Sequence, residues 1–174
     1  LYYWKRYFQN NNDQYIFKII NQQGYNATTD YPGCLVFDKY MELYPDAKVI
    51  LSLHPKGSYA WAKSYSNTLV RLETVARKAP LKYLKSLSKD YPEFKDETRK
   101  MMGLEPSNYQ PSIESLMESY ENWIEHVKSK VPPSKLLIHK ATDGYDPIIQ
   151  FLDLEKTYHK SSPFMNKLNE EEEE

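Results

Sequence analysis

The chain has 174 residues, 40% of them hydrophobic and 14% aromatic, with sixteen Tyr and a single Cys, which is enough apolar surface for one core and is most simply one domain. Its net charge of −1 hides an acidic end: without Glu170 to Glu174 there are 23 basic against 19 acidic side chains, a body at +4, compatible with an anionic ligand but far from the dense basic patch of a nucleic-acid binder. The lone Cys34 excludes a disulfide framework and a multi-cysteine metal site, and no apolar run approaches the length of a membrane span.

In chain order, Leu1 to Phe17 is aromatic and basic, with Asn10 to Asp13 as a polar turn. Leu1, Tyr2, Trp4, Tyr7 and Phe8 form one face of a helix, and Tyr15 to Ile20 a second short element. Gly24 to Thr29 reads as a loop. Asp30-Tyr-Pro-Gly-Cys34 reads as a turn feeding a helix with apolar positions Leu35, Phe37, Tyr40, Met41 and Tyr44, which Pro45-Asp46 ends.

Val49 to Leu53 is an apolar run of strand length. His54-Pro-Lys-Gly57 breaks it, Ser58 is placed as an N-cap, and Trp61, Tyr65, Leu69, Leu72 and Ala76 recur at three- and four-residue steps as the buried face of a helix. In open α/β sheets ligands bind beyond the carboxyl ends of the strands, so chemistry is expected near residues 54 to 64.

Residues 80 to 111 read as helical fragments and loops, punctuated by Pro80, Tyr91-Pro92, Gly103 and Glu105-Pro106. A strong stripe comes next: Ile113, Leu116, Met117, Tyr120, Trp123, Ile124, Val127 and Val131, with Glu114 in the first turn and lysines in the last, ended by Pro132-Pro133. Lys135 to Lys140 is the second strand. Asp146-Pro147 opens a short helix as N-cap and first helical residue. The alternation favours an α/β fold with a parallel sheet covered by helices. Two strands are too few for a stable open sheet, so partners are expected from the amino-terminal residues or from outside the chain. The acidic tail, 169–174, reads as solvated.

Asp30-Tyr-Pro-Gly-Cys34, Tyr44-Pro-Asp-Ala-Lys-Val-Ile-Leu51, Val131-Pro-Pro-Ser-Lys-Leu-Leu-Ile138, Asp143-Gly-Tyr-Asp-Pro147, Phe151-Leu152 and Pro163-Phe-Met-Asn166 together resemble the carboxyl-terminal two-thirds of a P-loop-type sulfotransferase, of the branch with an Asp-Trp-Pro-Ala-Cys-like turn. The resemblance runs over about 28–168 and leaves 1–27 as an aromatic-rich amino-terminal segment. It implies a three-layer, P-loop-nucleotide-kinase-like parallel sheet flanked by helices, incomplete at the amino-terminal side. For an active member it implies 3′-phosphoadenosine-5′-phosphosulfate as donor, cradled by a Gly-rich loop, with an Arg at the end of the strand matching Val49 to Leu53 and a Ser eight residues on holding the 3′-phosphate.

This sequence departs from that pattern. No Gly-rich loop lies upstream of Asp30, His54 stands at the Arg position, and Ala62 stands at the Ser position. A single imidazole lacks the bidentate fork of Arg. His54, Lys56, Ser58 and Ser64, with Lys63 beside them, are the residues left to form a degenerate 3′-phosphate site. No catalytic residue is assigned.

Simpler roles stand beside these. His54 suits a capping or packing role at a strand end, Cys34 a small buried hydrophobe, Asp30 a turn former. Trp61 and Trp123 suit the core. His126, His139 and His159 have no second ligand at metal spacing. Three functional readings remain. The preferred one is a sulfotransferase-like domain without donor binding or cofactor, acting as a structural or interaction subunit and meeting other protein subunits through Leu1 to Phe17. The second is an active sulfotransferase that moves a sulfuryl group to a hydroxyl or amine acceptor and whose phosphate loop lies upstream, with His54 and Lys56 taking over the 3′-phosphate; the third is a nucleotide or small-anion binding module without chemistry. From the lone Cys and no recognisable signal peptide, a place inside the cell, in the cytoplasm, is expected. The opening on Leu1 rather than Met points to a processed chain or to numbering that starts within a longer product.

Overall fold

A computed structural model describes residues 2–10, 12–21, 24–76, 78, 96–97, 99–105 and 108–154 of the chain. Helix α1 (Tyr2–Asn10) and helix α2 (Gln14–Asn21) form a hairpin whose turn is fastened by the Gln14 N–H donating to Asn12 Oδ1 at 3.0 Å. The aromatic amino end is partly used inside the chain itself. Tyr7 and Ile16 are buried with Val36 and Tyr40, and Trp4, Tyr15 and Leu43 pack around them.

Asp30 takes the left-handed conformation, at φ 60°, which a short polar side chain tolerates. Its Oδ1 accepts the Tyr31 N–H at 2.7 Å and its carbonyl the Cys34 N–H at 2.9 Å, so Asp30 is a turn former. The turn runs through a 3-10 segment (Gly33–Val36) into α3 (Phe37–Leu43). Cys34 is exposed rather than buried: the 3-10 geometry turns Leu35 and Val36 inward instead. The residue is open to solvent, yet the sulfur itself is close enough to protein atoms, and then to Asp30, that both push its pKa up.

The Tyr40 hydroxyl is buried without a hydrogen bond of standard geometry, although the Thr28 side chain is near enough to act on it. Leaving a buried hydroxyl unpaired costs about 1–3 kcal/mol. Tyr40→Phe is therefore expected to be neutral or to stabilise by up to about 1 kcal/mol in urea melts; a loss above that size would mean the hydroxyl is well satisfied. Burial also pushes the phenols of Tyr7, Tyr40 and Tyr65 above their ordinary 10.0. The folded state then holds these protons more tightly than the unfolded chain, so this stability is complete below pH 10 and falls as pH rises beyond it. Tyr40→Phe should flatten that alkaline limb.

Strands β1 (Val49–Leu53) and β2 (Leu136–Lys140) pair in parallel, with Leu51 opposite Ile138 and Leu53 opposite Lys140. Val49, Leu51, Leu53 and Leu136 pack on Phe37, Trp123, Ile124, Val127 and Val131. The described residues therefore form a mixed helix and strand fold around a two-stranded parallel sheet, α/β in its coarse outline. Lys48 ties the start of β1 to residues 151–153, its Nζ donating to the Phe151 carbonyl and to Asp153 Oδ2, each at 2.6 Å.

After β1 come α4 (Gly57–Tyr65), a π-helical turn (Ser66–Val70) and α5 (Arg71–Ala76). Helix α4 starts one residue before Ser58, with Lys56 at its cap position and no side chain capping it. Gly57, at φ 81°, makes that tight start possible. The stripe expected to be buried is only half used: Leu69 and Leu72 face solvent, because the π turn rotates the helix beyond it. Helix α6 (Ile113–Lys130) matches its sequence pattern, with Ser112 Oγ accepting the Ser115 N–H at 3.1 Å. It packs on α4 through Ala62, Leu104 and Leu116. Helix α7 (Asp146–Phe151) includes Asp146 as its first residue, so Tyr145 and not Asp146 holds the cap position.

Candidate functional site

The in-register pairing of Leu53 with Lys140 sets two loops side by side at the carboxyl ends of the strands, His54 to Lys56 after β1 and Ala141 to Tyr145 after β2. The second holds the start of the Asp143-Gly-Tyr-Asp-Pro147 motif, three residues past the end of β2.

In the first loop His54 is half-buried and occupied by the turn. Its backbone N–H donates to Tyr120 Oη at 2.8 Å, its carbonyl accepts the Gly57 N–H at 3.0 Å, and its Nδ1 accepts the Lys56 N–H at 3.2 Å. With Nδ1 as acceptor, the neutral ring that fits carries its proton on Nε2. Lys56 is exposed. Ser58 Oγ donates to Glu121 Oε1 at 2.7 Å, which places a carboxylate at the loop. The Trp61 ring lies against Tyr65 and Tyr120, tilted to them by 33° and 30°, with ring centroids 5.1 Å and 4.8 Å away.

Three of the sequence-derived residues, His54, Lys56 and Ser58, are thus gathered at one turn. Ser64 is not. Six residues along α4 from Ser58, it is displaced by about 9 Å of rise and about 120° of rotation. Its backbone carbonyl accepts the Thr68 hydroxyl at 2.7 Å.

In the second loop His139 is buried, and its Nε2 lies 2.7 Å from the Gly144 carbonyl as donor. Asp143 Oδ2 accepts the Lys140 N–H at 2.8 Å. Gly144 is held at φ 72°, ψ −166°, and Tyr145 stands exposed beyond it.

Elsewhere, His126 packs against Phe37 and Trp123 at 5.7 Å and 5.6 Å. Among the described residues no three His, Cys, Asp or Glu gather as a metal site, and no helix is long and apolar enough to cross a membrane. His159, Pro163 to Asn166 and the acidic tail lie outside the described residues.

Residues 3–171 of the sequence match a family described as Sulfotransferase domain. Among curated proteins, the chain is similar to the protein named Ava biosynthesis cluster protein M of Aspergillus versicolor, 28% identical over 134 residues, which are 74% of this chain and 50% of that protein. The chain spans about half the length of the curated relative it matches.

Proposed function

Given that this chain belongs to the sulfotransferase-domain family, matched over residues 3–171, we propose that it serves as a sulfotransferase-like domain whose donor site is degenerate, acting as a structural or interaction subunit of a larger assembly in the cytoplasm. The observation that carries this reading is the Ser58 hydroxyl donating to Glu121 Oε1 at 2.7 Å. A carboxylate at the strand-end turn opposes a phosphate there. His54 supports the same reading, because its Nδ1 is committed to the Lys56 N–H, leaving one donor where Arg offers a fork. These residues do not suit the 3′-phosphate of 3′-phosphoadenosine-5′-phosphosulfate. In this reading the three-layer, P-loop-like sheet is completed by polypeptide outside the chain, and the parts of Leu1 to Phe17 not spent on Val36 and Tyr40 meet other subunits.

The test is a thermal-shift titration of the complete gene product with adenosine 3′,5′-bisphosphate. A ligand bound by the native state alone adds about 2.7 kcal/mol at a hundredfold excess over Kd. No shift up to millimolar ligand is the expected result, and a saturable rise overturns the proposal.

A second reading is favoured by one observation. The relative is about twice as long as the stretch matched here and is named for a biosynthesis cluster, which fits an active enzyme with its phosphate loop in a part outside this chain. That reading expects binding of the bisphosphate, weakened by His54→Ala and by Lys56→Ala.

A further inference from the structure

A regular α-helix over 57–76 would present Trp61, Tyr65, Leu69, Leu72 and Ala76 on one face. The observed helix abandons that face halfway. From the end of the π turn at Ser66–Val70 onward, Val70 and Glu73 are buried, at 8% and 7% exposure, while Leu69 and Leu72 stand out at 52% and 66%. One extra residue in a helical turn rotates everything after it by about 100°. Removing that rotation would put Leu69 where Val70 is and Leu72 where Glu73 is. The sequence therefore carries a second register that buries more apolar surface and moves Glu73 out to the half-buried place of Thr74.

The register seen buries Glu73, which is costly unless the charge is paired. Arg99, 5% exposed, supplies the pairing, with Nη1 3.7 Å from Glu73 Oε2. The same guanidinium donates to the Glu105 carbonyl at 3.4 Å and to the Asn108 carbonyl, and it stacks 5.4 Å from the Tyr109 ring. Leu104, whose N–H donates to the Arg99 carbonyl at 2.9 Å, is buried against Ala62 and Leu116. Arg99 thus fastens residues 99–105 and 108–109 to α5, and Leu104 fastens the first of these stretches to α4 and α6. The π turn has local support from Thr68 Oγ1, which donates to the Ser64 carbonyl at 2.7 Å.

We infer that the helix over 57–76 has two registers and that the Glu73 and Arg99 pair is the latch that selects between them. Latched, the helix keeps its π turn and turns Glu73 inward. Unlatched, it runs as a regular α-helix with Leu69 and Leu72 inward, and the segment that Arg99 holds is released. The device is independent of whether the strand-end turn binds any ligand.

The test uses the full chain with Cys34→Ser and single reporters Val70→Cys, Arg71→Cys and Leu72→Cys, labelled with a maleimide while far-ultraviolet circular dichroism tracks helicity. In the latched protein positions 71 and 72 label fast and 70 slowly. Adding Arg99→Met is expected to slow position 72 about tenfold and speed position 70 with helicity retained, position 71 staying fast in both. Arg99→Lys, which keeps the charge but not the fork, should give the same inversion in part. Unchanged labelling order in both variants overturns the inference. So does equal fast labelling at all three positions with helicity lost in both, because the pair would then hold the fold and not the register. Deleting Asn67, the exposed residue within the π turn, makes the latched orientation regular; there Arg99→Met should leave the order intact, and an inversion there also overturns it.

Discussion

Leu116→Ala should lower stability by about 2–5 kcal/mol, the range for emptying a fully buried aliphatic site that relaxes only in part. Leu116 has 0% exposure and sits among Ala62 and Leu104, with Trp61, Tyr65, Met102, Ile113 and Met117 around it. Its neighbours come from three separate stretches of chain, so no single movement can close the hole. Against a total of about 5–15 kcal/mol for a domain, such a loss could leave the fold marginal. Urea melts would measure it, and a thermal melt should fall by about 2–4 °C for each kcal/mol lost. Leu116→Met, which conserves volume, should cost under about 1.5 kcal/mol. The effect should reach the strand ends too, since Tyr120, one turn along α6, is the residue whose hydroxyl accepts the His54 N–H. A loss below about 1 kcal/mol would mean that the cluster around Leu116 is not a closely packed core.

Gly144→Ala is expected to cost about 1–3 kcal/mol for a different reason. A Cβ at Gly144 would meet no heavy atom within 4 Å, so sterics with neighbours play no part. The cost is in the backbone, at φ 72° and ψ −166°, a region that essentially only Gly occupies. Asn, which tolerates the ordinary left-handed conformation, does not tolerate this one, so Gly144→Asn should cost about as much. The conformation is enforced from outside by the His139 ring on the Gly144 carbonyl at 2.7 Å. In a double-mutant cycle with His139→Ala the Gly144 penalty should shrink, because the loop is then free to relax. Equal penalties with and without His139 would show that the imidazole does not hold the loop.

Much of the scaffold can be read from the chain. The apolar runs at Val49 to Leu53 and Leu136 to Lys140 announce the strands, and Ser112, the stripe through Val127 and the Pro132-Pro133 stop announce α6. Each is a local pattern, decided by hydrogen bonds and side-chain spacing within a turn or a strand. The site is legible only in part. His54 as a capping residue is suggested by its place at a strand end, and its Nδ1 does accept the Lys56 N–H. Ser58 is not the N-cap its position suggests, because the helix starts before it at Gly57, and its hydroxyl goes to a carboxylate 63 positions along the chain. A capping bond competes with any stronger partner that folding brings near, and a carboxylate is one.

Leu69 and Leu72 illustrate the same limit on the apolar side. Periodicity assumes one register from end to end, and a single π turn breaks it. Glu73, turned inward after it, is paired with Arg99 from a separate stretch of the chain. The sequence by itself determined, among the described residues, where the two strands and helix α6 lie and that the strands are short and apolar. Tertiary structure alone decided which loops meet at the strand ends, which face of the helix over 57–76 turns inward and what each polar side chain is bonded to. The physical reason is that backbone elements are stabilised by neighbours in sequence, whereas the fate of a hydroxyl, a carboxylate or an imidazole depends on which distant partner removes it from water.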